Sequence, residues 1–280
     1  MQLKLALTSA IESLSAAKVG SPRLNAETLL MFALGCDRAH LYAHPERELT
    51  SQELVRFKDA LTRRRGGYPT QYITGHQEFW GLDFLVTPAV LIPRPETELL
   101  IEAVLPRAKQ LVNPRIADVG TGSGCIAITL AKELAEAEIS ATDISSSSLS
   151  LARENAQRLG VADRIQFHER DLLAGLPAAS FDLIVSNPPY VGESEEDEVQ
   201  LEVRKFEPRS AVFAGPRGTE IIQRLIPQGQ TALAPGGWLL MEISGSIAAA
   251  VKALLHDWDE VSITNDLQEI PRIAAARKPT

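Results

Sequence analysis

The sequence has little cysteine and histidine, and it lacks any long apolar run. Only two cysteines, Cys36 and Cys125, occur in 280 residues, and neither lies in a CxxC spacing. The five histidines are scattered, so we predict no metal site and no disulfide framework. No apolar stretch is long enough to span a bilayer, and Met1 to Leu14 lacks the continuous apolar core of a signal peptide. We therefore expect a soluble, cytoplasmic protein with no membrane partner.

The sequence also lacks an excess of positive charge. Its 28 lysines and arginines face 36 aspartates and glutamates, which gives a net charge of −8. Because binding to duplex nucleic acid rests on neutralising phosphates, this balance argues against a nucleic acid as the direct substrate. Basic residues outnumber acidic ones only before about residue 72, where Arg63, Arg64 and Arg65 are consecutive. We interpret this run as a solvated helix end.

The hydrophobic pattern changes twice along the chain, which predicts three segments. Residues 1–72 carry apolar residues at three- and four-residue steps and predict a small helical domain. Residues 73–92 combine strand-forming residues with turn glycines and predict a β-hairpin linker. In residues 93–280 strands and helices alternate, with Trp238 to Ile243 as the last strand that the pattern indicates. This alternation predicts an α/β fold with a parallel sheet and helices on both of its faces.

A glycine loop closes the first strand of this α/β segment. Gly120, Gly122 and Gly124 form a GxGxG spacing after Asp118 and Val119. Neither the GxGxxG of dinucleotide folds nor a phosphate-binding P-loop is present. Alone, such a loop is also consistent with a plain strand-to-helix turn. However, Asp143 ends the next strand, where a carboxylate can accept both hydroxyls of a ribose. The combination fits a nucleoside cofactor without a pyrophosphate, such as S-adenosylmethionine (SAM).

The segment Asn187-Pro188-Pro189-Tyr190 follows an apolar run, Phe181 to Ser186, that reads as a buried strand. Prolines cannot continue a central strand, because they lack the N–H that the ladder requires. They form a rigid rim that presents an amide and an aromatic ring at the carboxyl end of the sheet. An amide oxygen and a free backbone carbonyl can accept hydrogen bonds from a planar NH₂ group, and a tyrosine ring can cover its face. The alternative is a proline-rich turn with an incidental asparagine cap.

These motifs together resemble the class I SAM-dependent methyltransferases that methylate amino groups. Further segments resemble one family in particular, the peptide chain release factor N5-glutamine methyltransferases (PrmC/HemK). The segments that carry the resemblance are GTGSGCIAI (120–128), SNPPY (186–190), LIPRPETE (91–98), Tyr72-Ile73-Thr74-Gly75, Glu78-Phe79-Trp80 and Phe206-Glu207-Pro208. The resemblance covers nearly the whole chain. It implies a Rossmann-like, mainly parallel seven-stranded sheet, SAM as cofactor, and methyl transfer to the glutamine of the Gly-Gly-Gln motif in class I release factors.

The resemblance also implies roles for individual residues. The Asn187 side-chain oxygen and the Pro188 carbonyl would accept from the substrate amide, and Tyr190 would pack on its plane. The residues implied for cofactor binding are Gly120, Thr121, Gly122, Ser123, Gly124, Asp143, Asp171, Leu172 and Asn187. Those implied for substrate binding are Asn187, Pro188, Pro189, Tyr190, Arg94 and Glu98. A salt-bridged hinge is the alternative role for Arg94 and Glu98. The chain departs from the family at Leu172, where some members have an aromatic residue beside the adenine.

Three other functions remain open at this point. A related enzyme could methylate a glutamine of a ribosomal protein, and the helical segment would decide between the two substrates. Adenine-N6 methylation of nucleic acid also uses an NPPY segment, although the acidic charge and the absence of a basic target-recognition region count against it. A third alternative is a module that binds SAM or a translation factor without catalysis. We expect a monomer whose helical domain docks a release factor.

Overall fold

The computed structural model describes residues 1–280, which form two compact units. The first comprises Met1–His76 together with Gln200–Phe206, and the second comprises Gln77–Val199 and Glu207–Thr280. This division differs from the three predicted segments in two ways. The hairpin belongs to the larger unit, and a short segment from the second half of the chain belongs to the helical unit.

Twelve α-helices occur along the chain. Their bounds are α1 Leu3–Ala16, α2 Pro22–Leu34, α3 Arg38–Ala43, α4 Ser51–Arg65, α5 Thr70–Thr74, α6 Glu98–Ala108, α7 Cys125–Glu133, α8 Ser146–Arg158, α9 Leu201–Phe206, α10 Arg209–Val212, α11 Glu220–Ala232 and α12 Ala248–Leu254. None of them is long and apolar enough to cross a membrane.

Eleven β-strands complete the regular structure. Their bounds are β1 His76–Phe79, β2 Leu82–Leu85, β3 Arg115–Val119, β4 Glu138–Asp143, β5 Ile165–Glu169, β6 Phe181–Ser186, β7 Val191–Gly192, β8 Phe213–Gly215, β9 Leu233–Glu242, β10 Asp259–Asn265 and β11 Pro271–Arg277. The strand predicted from Trp238 starts five residues earlier, at Leu233. The glycines before Trp238 lie inside β9, where the pairing with β6 shifts register between Phe181 and Leu183.

The helical unit is built around the apolar faces of α1, α2 and α4. A capping box begins α4, because the Thr50 side chain accepts from the Glu53 N–H while the Glu53 carboxylate accepts from the Thr50 N–H. Near the end of α4 the prediction of a solvated arginine run is wrong for Arg64, which is 7% exposed. Its guanidinium donates to Asn25 Oδ1 at 2.8 Å and to Glu202 Oε2 at 2.7 Å. Burial of this charge is therefore tied to partners in α2 and α9.

The larger unit contains a seven-stranded sheet with the order β10-β11-β9-β6-β3-β4-β5. Strands β9, β6, β3, β4 and β5 are parallel, whereas β11 runs antiparallel to β9 and β10. Successive residues of a strand enter different cores: Ile116 packs with α6 and α7, and Ala117 packs with α11 and α12. The predicted α/β sheet with helices on both faces is confirmed, and its strand count agrees with the resemblance.

The hairpin β1-β2 joins this unit through buried polar contacts. Asn155 of α8 accepts from the Leu85 N–H at 2.8 Å and donates to the Leu85 carbonyl at 3.0 Å. The same amide also donates to the carbonyl of Ser123 in the glycine loop at 2.9 Å. One fully buried side chain therefore fixes both the hairpin and the loop.

The carboxyl ends of four neighbouring strands lie at one level of the sheet. In the parallel registers Val119 pairs with Thr142 and with Ser186, and Ser186 pairs with Met241. The residues that follow these pairs are Gly120, Asp143, Asn187 and Glu242. The fold therefore gathers the glycine loop and three polar side chains at one edge of the sheet, where open α/β sheets bind ligands.

Candidate active site

A cavity of about 520 Å³ opens above this edge of the sheet, and only the larger unit lines it. Most of the predicted site residues are among its walls, namely Gly120, Thr121, Gly122, Ser123, Asp143, Asp171, Leu172, Arg94, Asn187 and Pro189. Four predicted residues lie outside the lining set, namely Gly124, Pro188, Tyr190 and Glu98. We call the loop Gly120–Gly124 with Asp143 the cofactor end of the cavity, and Asn187–Tyr190 its acceptor end.

Backbone conformation shapes the cofactor end. Gly120, Gly122 and Gly124 have φ angles of +75°, +56° and +83°, a region that residues with a Cβ atom rarely adopt. A Cβ atom on Gly120 or Gly122 would meet nothing within 4 Å, so these two glycines leave open space at the cavity. A Cβ atom on Gly124 would stand 2.9 Å from Ile128 Cδ1. Gly124 therefore packs the loop on α7, while Gly120 and Gly122 form a cradle for a ligand.

Asp118 supports the loop from beneath. It is fully buried, and its Oδ2 accepts from Thr121 Oγ1 at 2.6 Å and from the Ala127 N–H at 3.1 Å. Burial raises the pKa of this carboxyl to about 7, against the opposing effect of the two hydrogen bonds. Its Oδ1 is buried without a hydrogen-bond partner. One oxygen orders the loop, and the other is an unsatisfied acceptor of the kind that an ammonium group could satisfy.

Asp143 closes the cofactor end from the neighbouring strand. Its Oδ2 accepts from the Gly122 N–H at 2.9 Å and its Oδ1 accepts from the Ser145 N–H at 2.8 Å. A carboxylate has about four lone-pair positions, so each oxygen retains the capacity to accept another hydrogen bond. The backbone contacts fix the orientation of the carboxylate at the cavity wall. The residues present therefore fit the ribose of a nucleoside cofactor.

Asp171 and Leu172 follow β5 at the same end. The Asp171 carboxylate forms an ion pair with Arg224 of α11, which also lines the cavity. Leu172 has a φ of +55°, and the next N–H, that of Leu173, donates to Gln228 Oε1 at 3.0 Å. A left-handed conformation at a residue other than glycine carries backbone strain. The sequence pattern gave no signal for Arg224 or Gln228, which hold this turn.

At the acceptor end Asn187 belongs to a chain of hydrogen bonds. Its Nδ2 donates to Thr97 Oγ1 at 3.0 Å, and Thr97 Oγ1 donates to Glu242 Oε2 at 2.6 Å. The Tyr190 hydroxyl donates to the other oxygen of Glu242 at 2.9 Å. Burial raises the pKa of Glu242, although the hydrogen bonds from Thr97 and Tyr190 oppose this effect. Sequence reasoning missed Thr97 and Glu242 as site residues. The one available signal was an acidic residue at the end of the apolar strand Trp238–Met241.

Two charged residues of the LIPRPETE segment make different contacts. Arg94 lines the cavity and forms an ion pair with Glu207, whose other oxygen accepts from the Ile92 N–H at 3.1 Å. Glu98 instead accepts from the Trp80 N–H at 2.8 Å and anchors the hairpin. Arg94 therefore lies at the wall of the cavity, whereas the carboxylate of Glu98 is engaged elsewhere.

Solved structures show the same fold with low sequence identity. The catalytic domain of hMettl16 in complex with an RNA hairpin has a TM-score of 0.57 and 18% identity, covering 86% of this chain and 87% of that chain. The Thermus thermophilus rRNA methyltransferase RsmC in complex with AdoMet and guanosine has a TM-score of 0.55 and 19% identity, covering 72% and 49%. At such identities the likeness concerns the fold alone.

Taken with the glycine loop, the acidic end of β4 and the NPPY segment, this fold defines a class I SAM-dependent methyltransferase. Residues 6–75 match the PrmC N-terminal domain, and residues 95–205 match the methyltransferase small domain. The release factor glutamine methyltransferase of Koribacter versatilis is 56% identical over 281 residues, with 100% of both chains covered. That of Moorella thermoacetica is 46% identical over 254 residues, covering 91% of this chain and 89% of the relative. The chain belongs to the release factor glutamine methyltransferase family.

Proposed function

We propose that the protein transfers a methyl group from SAM to the side-chain nitrogen N5 of the glutamine in the Gly-Gly-Gln motif of class I peptide chain release factors. The observation that carries this proposal is the position of Asn187. Asn187 lines the same cavity as the glycine loop and Asp143, which supports an acceptor for a substrate NH₂ close to the proposed nucleoside site. The full-length likeness to release factor glutamine methyltransferases supports the choice of substrate.

The cofactor would lie against the residues of the cofactor end. Gly120 and Gly122 leave room for it, the Asp143 carboxylate would accept from ribose hydroxyls, and the turn at Leu172 would border the adenine. The buried Asp118 Oδ1 is suited to an ammonium group. When bound, SAM supplies an electrophilic methyl group on a sulfonium sulfur.

The protein's task at the acceptor end is to orient a poor nucleophile. A carboxamide nitrogen attacks weakly, because its lone pair is delocalised into the carbonyl. Acceptors on both of its N–H groups help to localise that lone pair, and we assign these roles to Asn187 Oδ1 and the Pro188 carbonyl. Pro189 rigidifies the rim, and Arg94 contacts the substrate at the cavity mouth. Much of the rate enhancement then comes from placement and from preorganised acceptors.

Tyr190 covers the substrate amide and is not a general base in this proposal. Burial, with the neighbouring Glu242 carboxylate, raises the pKa of its phenol well above the usual range. The hydroxyl therefore stays protonated at neutral pH and donates to Glu242. No strong base is required before transfer, because the amide proton can leave after the new N–C bond has formed.

The helical unit is assigned to docking the release factor. A single glutamine offers too few contacts for specificity, and a second compact unit provides an additional surface. Within Met1–His76 ten basic residues face seven acidic ones, in contrast to the negative charge of the whole chain. We propose that the enzyme acts as a cytoplasmic monomer, since one chain supplies all walls of the cavity. Light scattering at working concentration tests the monomer, and a dimer mass would contradict it.

Methyl transfer from labelled SAM to a purified class I release factor tests the proposed function. A release factor with Gly-Gly-Ala in place of Gly-Gly-Gln is the matched control. We expect label on the Gly-Gly-Gln protein alone. Label on both proteins would show that the methylated residue is another one. Label on neither, with SAM still bound, would refute the release factor as substrate.

A further inference from the structure

Two buried side chains to which the proposed function gives no role in orienting Asn187 contact the acceptor end. Thr97, 2% exposed, lies in the single 3₁₀ turn that precedes α6, and Glu242, 1% exposed, is the last residue of β9. Thr97 Oγ1 stands between Asn187 Nδ2 at 3.0 Å and Glu242 Oε2 at 2.6 Å. These two residues lie 90 positions before and 55 positions after Asn187, so only the fold brings them together.

The sheet register accounts for the position of Glu242. Ser186 of β6 pairs with Met241 of β9 in the parallel ladder, so the residues that follow them, Asn187 and Glu242, leave the sheet side by side. Thr97 reaches this point from the segment that connects the hairpin to α6. A buried carboxylate is unfavourable unless it is hydrogen-bonded, and here each oxygen accepts from one hydroxyl group.

The number of protons in this chain determines the orientation of the Asn187 amide. A threonine hydroxyl has one proton to donate and two lone pairs that accept. Both oxygens of the ionised Glu242 carboxylate can only accept, so Thr97 donates its single proton to Glu242 and can only accept from Asn187. Asn187 must then present its NH₂ to Thr97, which leaves Oδ1 as the end that is available at the cavity. With the opposite orientation, two acceptors would face each other at Thr97, and the NH₂ would face a substrate NH₂.

We propose that Thr97 and Glu242 are positioning residues, which hold the Asn187 amide so that Oδ1, and not Nδ2, meets the substrate nitrogen. The consequence for catalysis rests on the proposed function. Glu242 also holds the Tyr190 hydroxyl at 2.9 Å, so one carboxylate orients both the acceptor and the aromatic cover of the acceptor end. A hydrogen-bond chain of this kind specifies direction through the donor and acceptor character of each link.

The test compares Thr97→Val, which keeps the shape and removes the hydroxyl, with Thr97→Ser, which keeps the hydroxyl. Thr97→Val is expected to lower kcat about 10–100-fold, by analogy with the loss found when hydrogen-bond partners of metal ligands are removed. Thr97→Ser is expected to restore most of kcat, and the Kd for SAM should stay unchanged in both variants. Glu242→Gln, whose NH₂ must face Thr97 or Tyr190, is expected to lower kcat in the same way.

The matched control is Thr129→Val. Thr129 is a fully buried threonine of α7 that lies outside the cavity lining, and its hydroxyl has no hydrogen-bond partner. Thr129→Val also removes a buried hydroxyl group, but one that makes no hydrogen bond with Asn187 or Glu242. We expect kcat to stay at the wild-type value. A wild-type kcat in Thr97→Val, or equal losses in Thr97→Val and Thr97→Ser, would overturn the proposal.

A double-mutant cycle tests whether Thr97 acts through Asn187. In the Asn187→Ala background, single-turnover rates should be the same with Thr97 and with Val at position 97, because no amide remains to be oriented. If Thr97→Val lowered the single-turnover rate in the Asn187→Ala background as much as it does in the wild type, the proposal would be overturned. The cycle separates a positioning role from general damage to the fold, which would lower the rate in both backgrounds.

A spectroscopic measurement without substrate separates this inference from the proposed function. The ¹⁵N side-chain NH₂ signal of Asn187, assigned by its loss in Asn187→Ala, should show slow hydrogen exchange in the wild type. It should shift and exchange faster in Thr97→Val and return in Thr97→Ser. An unchanged signal in Thr97→Val would overturn the inference, whatever the enzyme methylates. A shifted signal in an enzyme that leaves release factors unlabelled would support the amide orientation and refute only the substrate.

Discussion

The two ends of the cavity are built by different means. At the cofactor end, the surface is defined by the positive φ angles of three glycines and by the backbone N–H groups that donate to Asp143. At the acceptor end, side chains from three distant segments define it, through the chain Asn187–Thr97–Glu242–Tyr190. Backbone conformation depends on neighbouring residues, whereas the hydrogen bonds between these side chains form only because the sheet brings distant segments together. Apart from the buried Asn155, which donates to the Ser123 carbonyl, the cofactor end should therefore tolerate distant substitutions better than the acceptor end does.

Among the substitutions that test this difference between the two ends, Asn187→Ala is expected to have the largest effect. Removing a preorganised group at a reacting centre lowers kcat by about 10²–10³-fold. The Kd for SAM should change little, because the cofactor end keeps its backbone. Labelled methyl transfer and calorimetry of SAM binding measure the two quantities, with the exposed Asn265→Ala as control. Equal losses of kcat and SAM affinity would break the division between the two ends.

Asp143→Ala is expected to have the opposite profile. It removes the carboxylate that we propose accepts from the ribose hydroxyls, and with it the partner of the Gly122 N–H. Hydrogen bonds to a charged group contribute about 1.5–3 kcal/mol each, so the Kd for SAM should rise about 10–100-fold. At saturating SAM kcat should recover towards the wild type, and Asp163→Ala on the exposed surface should match the wild type. A kcat that stays low at saturating SAM would contradict the prediction.

Asp118 gives the cofactor end a dependence on pH. Its folded-state pKa, about 7, lies above its ordinary value of 3.8, so the carboxyl contributes stability at low pH that is lost as pH rises through about 7. The free energy of unfolding of the wild type should therefore fall relative to that of Asp118→Asn, by about 1.4 kcal/mol between about pH 5 and about pH 6. Urea unfolding of both proteins without SAM measures the difference, and a pH-independent difference would show that Asp118 is ionised throughout.

The smallest effect is expected for Arg224→Ala. The ion pair with Asp171 is about half exposed on both sides, and such pairs contribute about 0–1 kcal/mol. The Kd for SAM should change by less than about fivefold. A much larger rise, measured by calorimetry, would show that Asp171 needs Arg224 to present its carboxylate to the adenine. Such a result would mean that an ion pair between side chains, and not backbone conformation alone, shapes the cofactor end.

Local sequence patterns predicted those structural features that are determined by residues close together in the sequence. The bounds of β6 and the carboxyl-terminal positions of Gly120, Asp143 and Asn187 follow from apolar runs and turn residues along one stretch of chain. Thr97 and Glu242 could not be predicted in the same way, since their role arises from the register of β6 with β9. Burial of Arg64 likewise requires Glu202, 138 residues away. The Arg94 and Glu98 contacts with substrate stay predictions.

The helical unit includes the segment Gln200–Phe206, so it is not one continuous stretch of the sequence. The chain passes from one unit to the other three times, after His76, Val199 and Phe206. Within the helical unit Phe206 packs its ring edge on Tyr68 at 5.1 Å, and Glu202 compensates the buried Arg64. A truncation after residue 76 would therefore strip the arginine of its counter-ion and leave α9 behind without its partners. The helical unit is a discontinuous domain, and grafting it onto another methyltransferase requires transplanting two separate stretches of sequence.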